Sequence, residues 1–237
     1  MSKITTDFLI DRPTVEAYQH AFRQGYDHKY PNENIIRLES AFLRPTIGKC
    51  LDYGYGFGEN LIHFSKLGYE MYGVDIEDSL KDRVNQKIKD RGLTLDFDPE
   101  LITLQPGDQA LPYPDNFFDS ILSNQVVYLL ANESKVLKLI SEFRRILKPN
   151  GRILVSLMSN QNVCAKRGTY LGENVYEYDD SSVMNKIEGG FAHRYYIVNS
   201  EPHIRWLFAQ FTTDEIGYFD NSYFNIDGHH YVYMGTK

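Results

Sequence analysis

A chain of 237 residues, 42% of them hydrophobic, can bury one sizeable α/β core with additions and is short for two full domains. Its net charge of -7, with no run of Lys and Arg interleaved with aromatics, excludes a phosphate backbone as the expected partner, so no nucleic acid is expected. Cys50 and Cys164 form no paired motif, and no stretch reaches the roughly 18 apolar residues of a membrane span, which points to a reducing cytoplasm, no metal and no membrane.

In chain order, residues 13–30 predict a helix opened by Pro13, with Tyr18, Phe22 and Tyr26 at four-residue spacing. A second helix is expected from Glu33 to Arg44, stopping before Pro45. From Lys49 the pattern alternates. Apolar runs at 49–53, 70–76, 101–105, 118–124 and 152–158 enclose helical stretches at 58–67, 77–91 and 133–147. Strand, helix and strand repeated in this way predict a parallel sheet with helices on both faces, doubly wound through right-handed crossovers. Residues 159–200 break the rhythm and read as an irregular insertion with room for short strands or helices, a substrate lid or a plain connector. A helix from Glu201 to Phe211 and two strands, Thr213 to Asp220 and His229 to Thr236, close the chain as an antiparallel hairpin turning at Asp227-Gly228. The expected organisation is therefore a single domain: a helical cap over 1–45, a core over 46–158, the insertion over 159–205 and the hairpin over 206–237.

The stretch Lys49 to Leu61, KCLDYGYGFGENL, marks the ligand site, because Gly54, Gly56 and Gly58 follow a strand directly and precede a helix. In an open α/β sheet such a turn lies beyond the carboxyl ends of the strands, where ligands bind. A dinucleotide site requires a third glycine where this chain has Glu59, and Glu59 with Asp52 would repel a diphosphate. The same carboxylates suit a cationic ligand. Asp75 ends the second strand 21 residues on (54 to 75), the separation at which a carboxylate accepts from both ribose hydroxyls. Asp108, after the third strand, is placed to accept from an exocyclic amine such as that of adenine. Helix or turn capping is the competing role for both.

Here the sequence resembles the class I S-adenosylmethionine-dependent methyltransferases, in the small-molecule branch. DYGYGFGEN resembles the family's glycine-rich first motif and YGVDI its acidic second motif. PGDQALPYPDNFFDSILSNQVVYLL resembles the adenine-side loop and fourth strand, and EFRRILKPNGRILVS the helix and fifth strand that follow. The resemblance implies a Rossmann-like seven-stranded sheet with an antiparallel C-terminal strand, and S-adenosyl-L-methionine as the cofactor. It implies that Asp52, Gly54 and Gly56 contact the cofactor's amino-acid end and that Gly58 permits close approach. Asp75 would hold the ribose, Ile76 the adenine face, and Asp108 and Gln109 the adenine edge, with Asn124 and Gln125 toward the sulfonium and substrate. Tyr53 and Tyr55 depart from the smaller residues frequent in the first motif.

Methyl transfer from a sulfonium is an in-line displacement that alignment alone accelerates, but a hydroxyl acceptor also has to lose a proton. His203 and His193 are the expected bases, whereas His229 and His230 read as edge residues. Tyr26, Tyr30, Tyr128, Tyr195 and Trp206, with Tyr18 and Tyr170, are the rings expected to line a substrate pocket, core packing being their alternative role. O-methylation of a small molecule is the expected reaction, and the similarity of KYPNENIIRLESAF to N-terminal extensions of methyltransferases associated with surface-polysaccharide genes puts a sugar or sugar-linked intermediate among the acceptors. An N-methyltransferase and a non-catalytic cofactor-binding regulator are the alternatives. A nicotinamide-dependent oxidoreductase is disfavoured by Glu59. A monomer or homodimer acting on a small molecule is expected.

Overall fold

The structure is a computed structural model, and it describes residues 29–105, 108, 110–179, 192–223 and 227–237. The expected helix over 13–30, apart from the non-helical Lys29 and Tyr30, lies outside these residues, as do Tyr26 and Gln109. Helix α1 (Glu33–Leu38) opens at Asn32, whose side chain accepts from the Asn34 N–H. The helix expected to run on to Arg44 instead passes into a π turn (Glu39–Leu43) and a 3-10 turn (Arg44–Thr46). The cause is Glu39, which is fully buried and needs partners. The wider turn brings the Arg44 guanidinium to 2.7 Å from it, and Tyr69 donates to it at 3.0 Å.

The core then follows the expected alternation: β1 (Lys49–Tyr53), α2 (Glu59–Lys66), β2 (Glu70–Asp75), α3 (Ser79–Asp90), β3 (Glu100–Thr103), β4 (Phe118–Ser123), α4 (Glu133–Ile146) and β5 (Leu147–Met158). Strand β5 begins at Leu147 rather than Arg152, because Leu147 already pairs with Phe118. The stretch read as irregular is ordered where it is described. It holds α5 (Val163–Arg167) and a three-stranded antiparallel sheet of β6 (Thr169–Gly172), β7 (Val175–Asp179) and β8 (Ala192–Tyr196). Helix α6 (Glu201–Leu207) and strands β9 (Thr212–Asp220) and β10 (His229–Thr236) complete the chain.

The main sheet has seven strands in the order β3-β2-β1-β4-β5-β10-β9, with β10 antiparallel to both its neighbours. Alternation along each strand sends side chains to two cores. Leu51, Ile153, Val155 and Tyr233 face α4 and α6, where Phe143, Ile204 and Phe208 meet them. Cys50, Leu154, Val232 and Met234 face α1, α2 and α3, against Ile35, Phe64 and Val84. The small sheet hangs from the carboxyl end of β5 through a bridge between Ser159 and Val198, and packs Tyr195 and Ile197 on Tyr128, Leu129 and Met158. It thus covers the rim at which the parallel strands end. Among the described residues no helix is long and apolar enough to cross a membrane.

Candidate active site

The glycine turn leaves β1 at Tyr53 with Gly54, Gly56 and Gly58 at φ +76°, +50° and +76°, in the left-handed region where a Cβ is disfavoured. The three positions differ in what a side chain would meet. A Cβ on Gly54 would lie 2.3 Å from Val126, and one on Gly58 would lie 2.5 Å from Val84 of α3. These two glycines let protein pack on protein, so the close approach expected at Gly58 is that of α3. Of the three, only at Gly56 does the side-chain direction meet nothing within 4 Å among the described residues.

Two carboxylates bracket that opening. Asp75, at the end of β2, accepts from the Gly56 N–H at 2.9 Å and from the Ile76 N–H at 2.7 Å. Burial raises its pKa from the ordinary value despite these main-chain donors. Asp52 is buried beneath the turn, and burial reinforced by the nearby Asp75 charge pushes it up to about 7. The Tyr55 hydroxyl, inside the turn, is buried and has no hydrogen-bond partner among the described residues.

Glu59 plays a different part from the one its position suggests. Its carboxylate is buried and is taken up by α3 and the residue after it: Lys87 donates at 2.9 Å, and Arg91 donates twice, at 2.9 and 2.7 Å. Burial works to raise its pKa, but these hydrogen bonds outweigh it and hold the carboxyl below its ordinary value. The negative charge expected to face a cationic ligand is thus answered within the protein and clamps α2 to α3. Spacing alone cannot reveal this, since the partners lie about thirty residues downstream.

On the far side of the turn, Ser156 of β5 joins two of the expected residues. Its hydroxyl donates to the Asn124 side chain at 3.1 Å and accepts from the Gln125 N–H at 2.7 Å, with Gln125 at φ +60°. Ile76 packs against the α4-side core. Asp108 accepts from the Gln105 N–H at 2.7 Å, closing its own turn.

The histidines and rings separate into three groups. His203 sits on α6 on the other face of the sheet, with Nε2 2.8 Å from the Tyr196 hydroxyl and Nδ1 accepting from the Asn199 N–H at 3.4 Å. Tyr196 in turn donates to Glu133 at 2.9 Å. Burial lowers the His203 pKa against the opposing pull of Glu133. Both ring nitrogens of His203, an expected base, are thus engaged within the protein. Trp206, half exposed on α6, tilts against His203, and Tyr30 is 82% exposed; nothing in the described residues brings either to the glycine turn.

A second group bridges the small sheet and the rim. His193 stacks on Tyr195 at 5.9 Å, Tyr195 meets Tyr128 edge-on at 5.9 Å, Tyr128 tilts toward His230 at 5.7 Å, and His230 stacks on Phe219 at 5.1 Å. Tyr128 and Tyr195 are thus brought together as expected of pocket rings, although they also form the core under the small sheet. The third group is His229, whose Nδ1 lies 2.7 Å from the Ser159 hydroxyl. His230 is the residue that sequence reasoning passed over: a strand-opening His-His pair signals an edge, and only the antiparallel placement of β10 brings its first residues to the rim.

Residues 51–155 match the family model described as a methyltransferase domain. A ubiquinone/menaquinone biosynthesis C-methyltransferase, UbiE, from Shewanella pealeana is 34% identical over 121 residues, covering 50% of this chain and 45% of that protein. The chain thus spans under half the length of the relative it matches. Among solved structures, a SAM-dependent methyltransferase from Methanosarcina mazei aligns with a TM-score of 0.66 at 17% identity, over 80% of this chain and 92% of its own. The [4+2]-cyclase SpnF aligns with a TM-score of 0.65 at 14% identity, over 95% of this chain and 93% of its own. These two likenesses concern the fold.

Proposed function

We propose that the chain, whose residues 51–155 match a methyltransferase domain, is a class I S-adenosylmethionine-dependent methyltransferase that transfers the methyl group of S-adenosyl-L-methionine to a hydroxyl of a small molecule, a sugar-linked hydroxyl included. The observation that carries this reading is the pairing of Asp75 with the N–H of Gly56, the one glycine of the three in the turn whose side-chain direction meets no described atom within 4 Å.

The donor set suits the cofactor. Asp52 and Asp75 offer negative charge to a ligand carrying a sulfonium and an ammonium, and the basic side chains near the turn, Lys87 and Arg91, are drawn off by Glu59. The partnerless Tyr55 hydroxyl is a buried polar atom that a ligand in the turn would satisfy. Asp75 would hold the ribose, Gly56 the amino-acid end, Ile76 and Asp108 the adenine, and Asn124 would border the acceptor. When bound, the cofactor supplies an electrophilic methyl group. The chain's own contribution is alignment and charge, together with the exclusion of water by the small sheet over the rim. Residues 159–205 are accordingly proposed as the acceptor-side cover. The buried free thiols of Cys50 and Cys164 agree with a reducing cytoplasm.

A carbon acceptor on a hydroxylated ring is the second reading, favoured by the name of the C-methyltransferase relative and by the Tyr128–Tyr195 ring pair. Calorimetry with S-adenosyl-L-methionine tests the cofactor, and absence of binding at millimolar concentration rejects both readings. Transfer of tritiated methyl to hydroxylated sugars and phenols, followed by identification of the methylated atom, decides between them.

A further inference from the structure

His230 opens β10 opposite Met158 of β5 and is 6% exposed. Its Nδ1 lies 3.0 Å from the Gly228 carbonyl oxygen. A carbonyl only accepts, so Nδ1 carries the proton and Nε2 is left with a lone pair. That nitrogen is buried and has no hydrogen-bond partner among the described residues. An unmet buried acceptor is destabilising, and two other histidines have partners: His203 at both nitrogens and His229 at Ser159.

The register places His230 on the face of the sheet that carries Asp52, at the carboxyl ends of the parallel strands. His230 and Val232 share a face of β10 and stand opposite Met158 and Ser156, and Ser156 is the residue that holds Asn124. On β4 and β1 the same face carries Leu122 and Asp52, paired across the sheet. His230, Asn124 and Asp52 therefore lie on one face at the carboxyl rim, whereas His203 lies on the other. Phe219 stacks on the His230 ring at 18° and Tyr128 tilts against it, so the ring is held in one orientation by packing as well as by Gly228.

We infer that His230 is the catalytic base of the methyl transfer, its Nε2 receiving the proton of the acceptor hydroxyl. This rests on the methyl-transfer reading above. The acceptor O–H bond breaks with its proton passing to Nε2. The oxygen forms its new bond to the methyl carbon as the methyl–sulfur bond breaks, the electron pair of that bond staying on sulfur. The imidazolium then returns the proton to water. Burial, eased by the Gly228 carbonyl and deepened by His229, pushes the His230 pKa down to about 4, which keeps the ring neutral at pH 7. A weak base suffices, because the hydroxyl becomes strongly acidic as its oxygen is alkylated.

The test uses the full chain labelled with 15N-histidine, His230 being assigned by its absence in His230→Gln or, should that variant fail to fold, in His230→Asn. Long-range proton–nitrogen spectra at pH 7 are expected to show His230 with a protonated Nδ1 and a bare Nε2. With S-adenosylhomocysteine present, phenol, catechol and methyl glucoside are added in turn, and at least one is expected to move the Nε2 resonance while its fully methoxylated counterpart does not. A protonated Nε2, a resonance that no hydroxyl compound moves, or an equal response to hydroxyl and methoxy forms overturns the inference. Calorimetry with S-adenosylhomocysteine reads the underlying methyl-transfer reading separately, since wild type must bind it, and His230→Gln is expected to bind it within twofold. With an acceptor found by the tritium assay, His230→Gln should lose about a hundredfold or more in methyl transfer, and His203→Gln should lose none beyond its effect on stability.

Discussion

The glycine turn has acidic groups on both of its sides, and they are used in opposite ways. On the α2–α3 side, Glu59 is enclosed by Lys87 and Arg91 and ties two helices together. On the β1–β2 side, Asp75 is met by main-chain N–H groups, neither it nor Asp52 has an ion pair among the described residues, and both are pushed toward their protonated forms by burial. Charge answered inside the protein stabilises the fold. Charge left unanswered is held ready for a ligand that brings the counter-charge, and the fold bears the desolvation cost until that ligand arrives.

The sharpest way to break this comparison is to remove Glu59. Glu59→Ala removes the charge-assisted hydrogen bonds of the part-buried Lys87 and the more exposed Arg91 and is expected to cost about 3 kcal/mol of stability, read as a large drop in denaturant midpoint. A variant as stable as wild type would show that the clamp is ornamental. Asp75→Ala should do the reverse, weakening S-adenosyl-L-methionine binding by about 2 kcal/mol through lost charge-assisted hydrogen bonds while moving the unfolding midpoint far less. Unchanged affinity in calorimetry would place the ribose elsewhere.

Acidity sharpens the same contrast. Asp52, raised to about 7 from its ordinary value, binds more protons folded than unfolded across roughly pH 4 to 7. Its contribution to stability therefore falls as pH rises through that window, the opposite of a salt-bridged carboxylate. A cationic ligand favours the ionised form, so cofactor affinity should rise by about tenfold between pH 6 and 8, and a flat profile would detach Asp52 from the ligand. On the other face of the sheet, Tyr196→Phe should lose about 1 kcal/mol of stability with the bonds to Glu133 and His203 and leave cofactor affinity within twofold. Trp206→Ala, half exposed on α6, is expected to stay within about 0.5 kcal/mol in stability and to leave methyl transfer unchanged; a large loss of activity would restore it to the substrate pocket.

The sequence made the order of elements legible because strand and helix periodicities differ and glycines punctuate them. It also made the glycine turn and Asp75 legible, since their spacing is set by one strand–helix–strand unit. What it could not disclose is pairing between distant segments. The partners of Glu59 come from α3, those of His203 from β8 and the Asn199 loop, and the bare nitrogen of His230 depends on which carbonyl its ring meets. The small sheet was legible only as room for short strands or helices, because its strands are four or five residues long and leave a weak alternation among polar residues.

Strand β10 spans residues 229–236, yet it sits inside the sheet between β5 and β9 and joins both. During synthesis the main-chain groups on that side of β5 must therefore remain without their final partner until residues 229–236 have left the ribosome. An open strand edge beside an apolar face is an aggregation hazard for as long as it lasts. Arrested nascent chains lacking residues 229–237 should accordingly bind holdase chaperones where the full sequence does not, and the histidine that opens β10 takes up its position at the rim only in the same closing event.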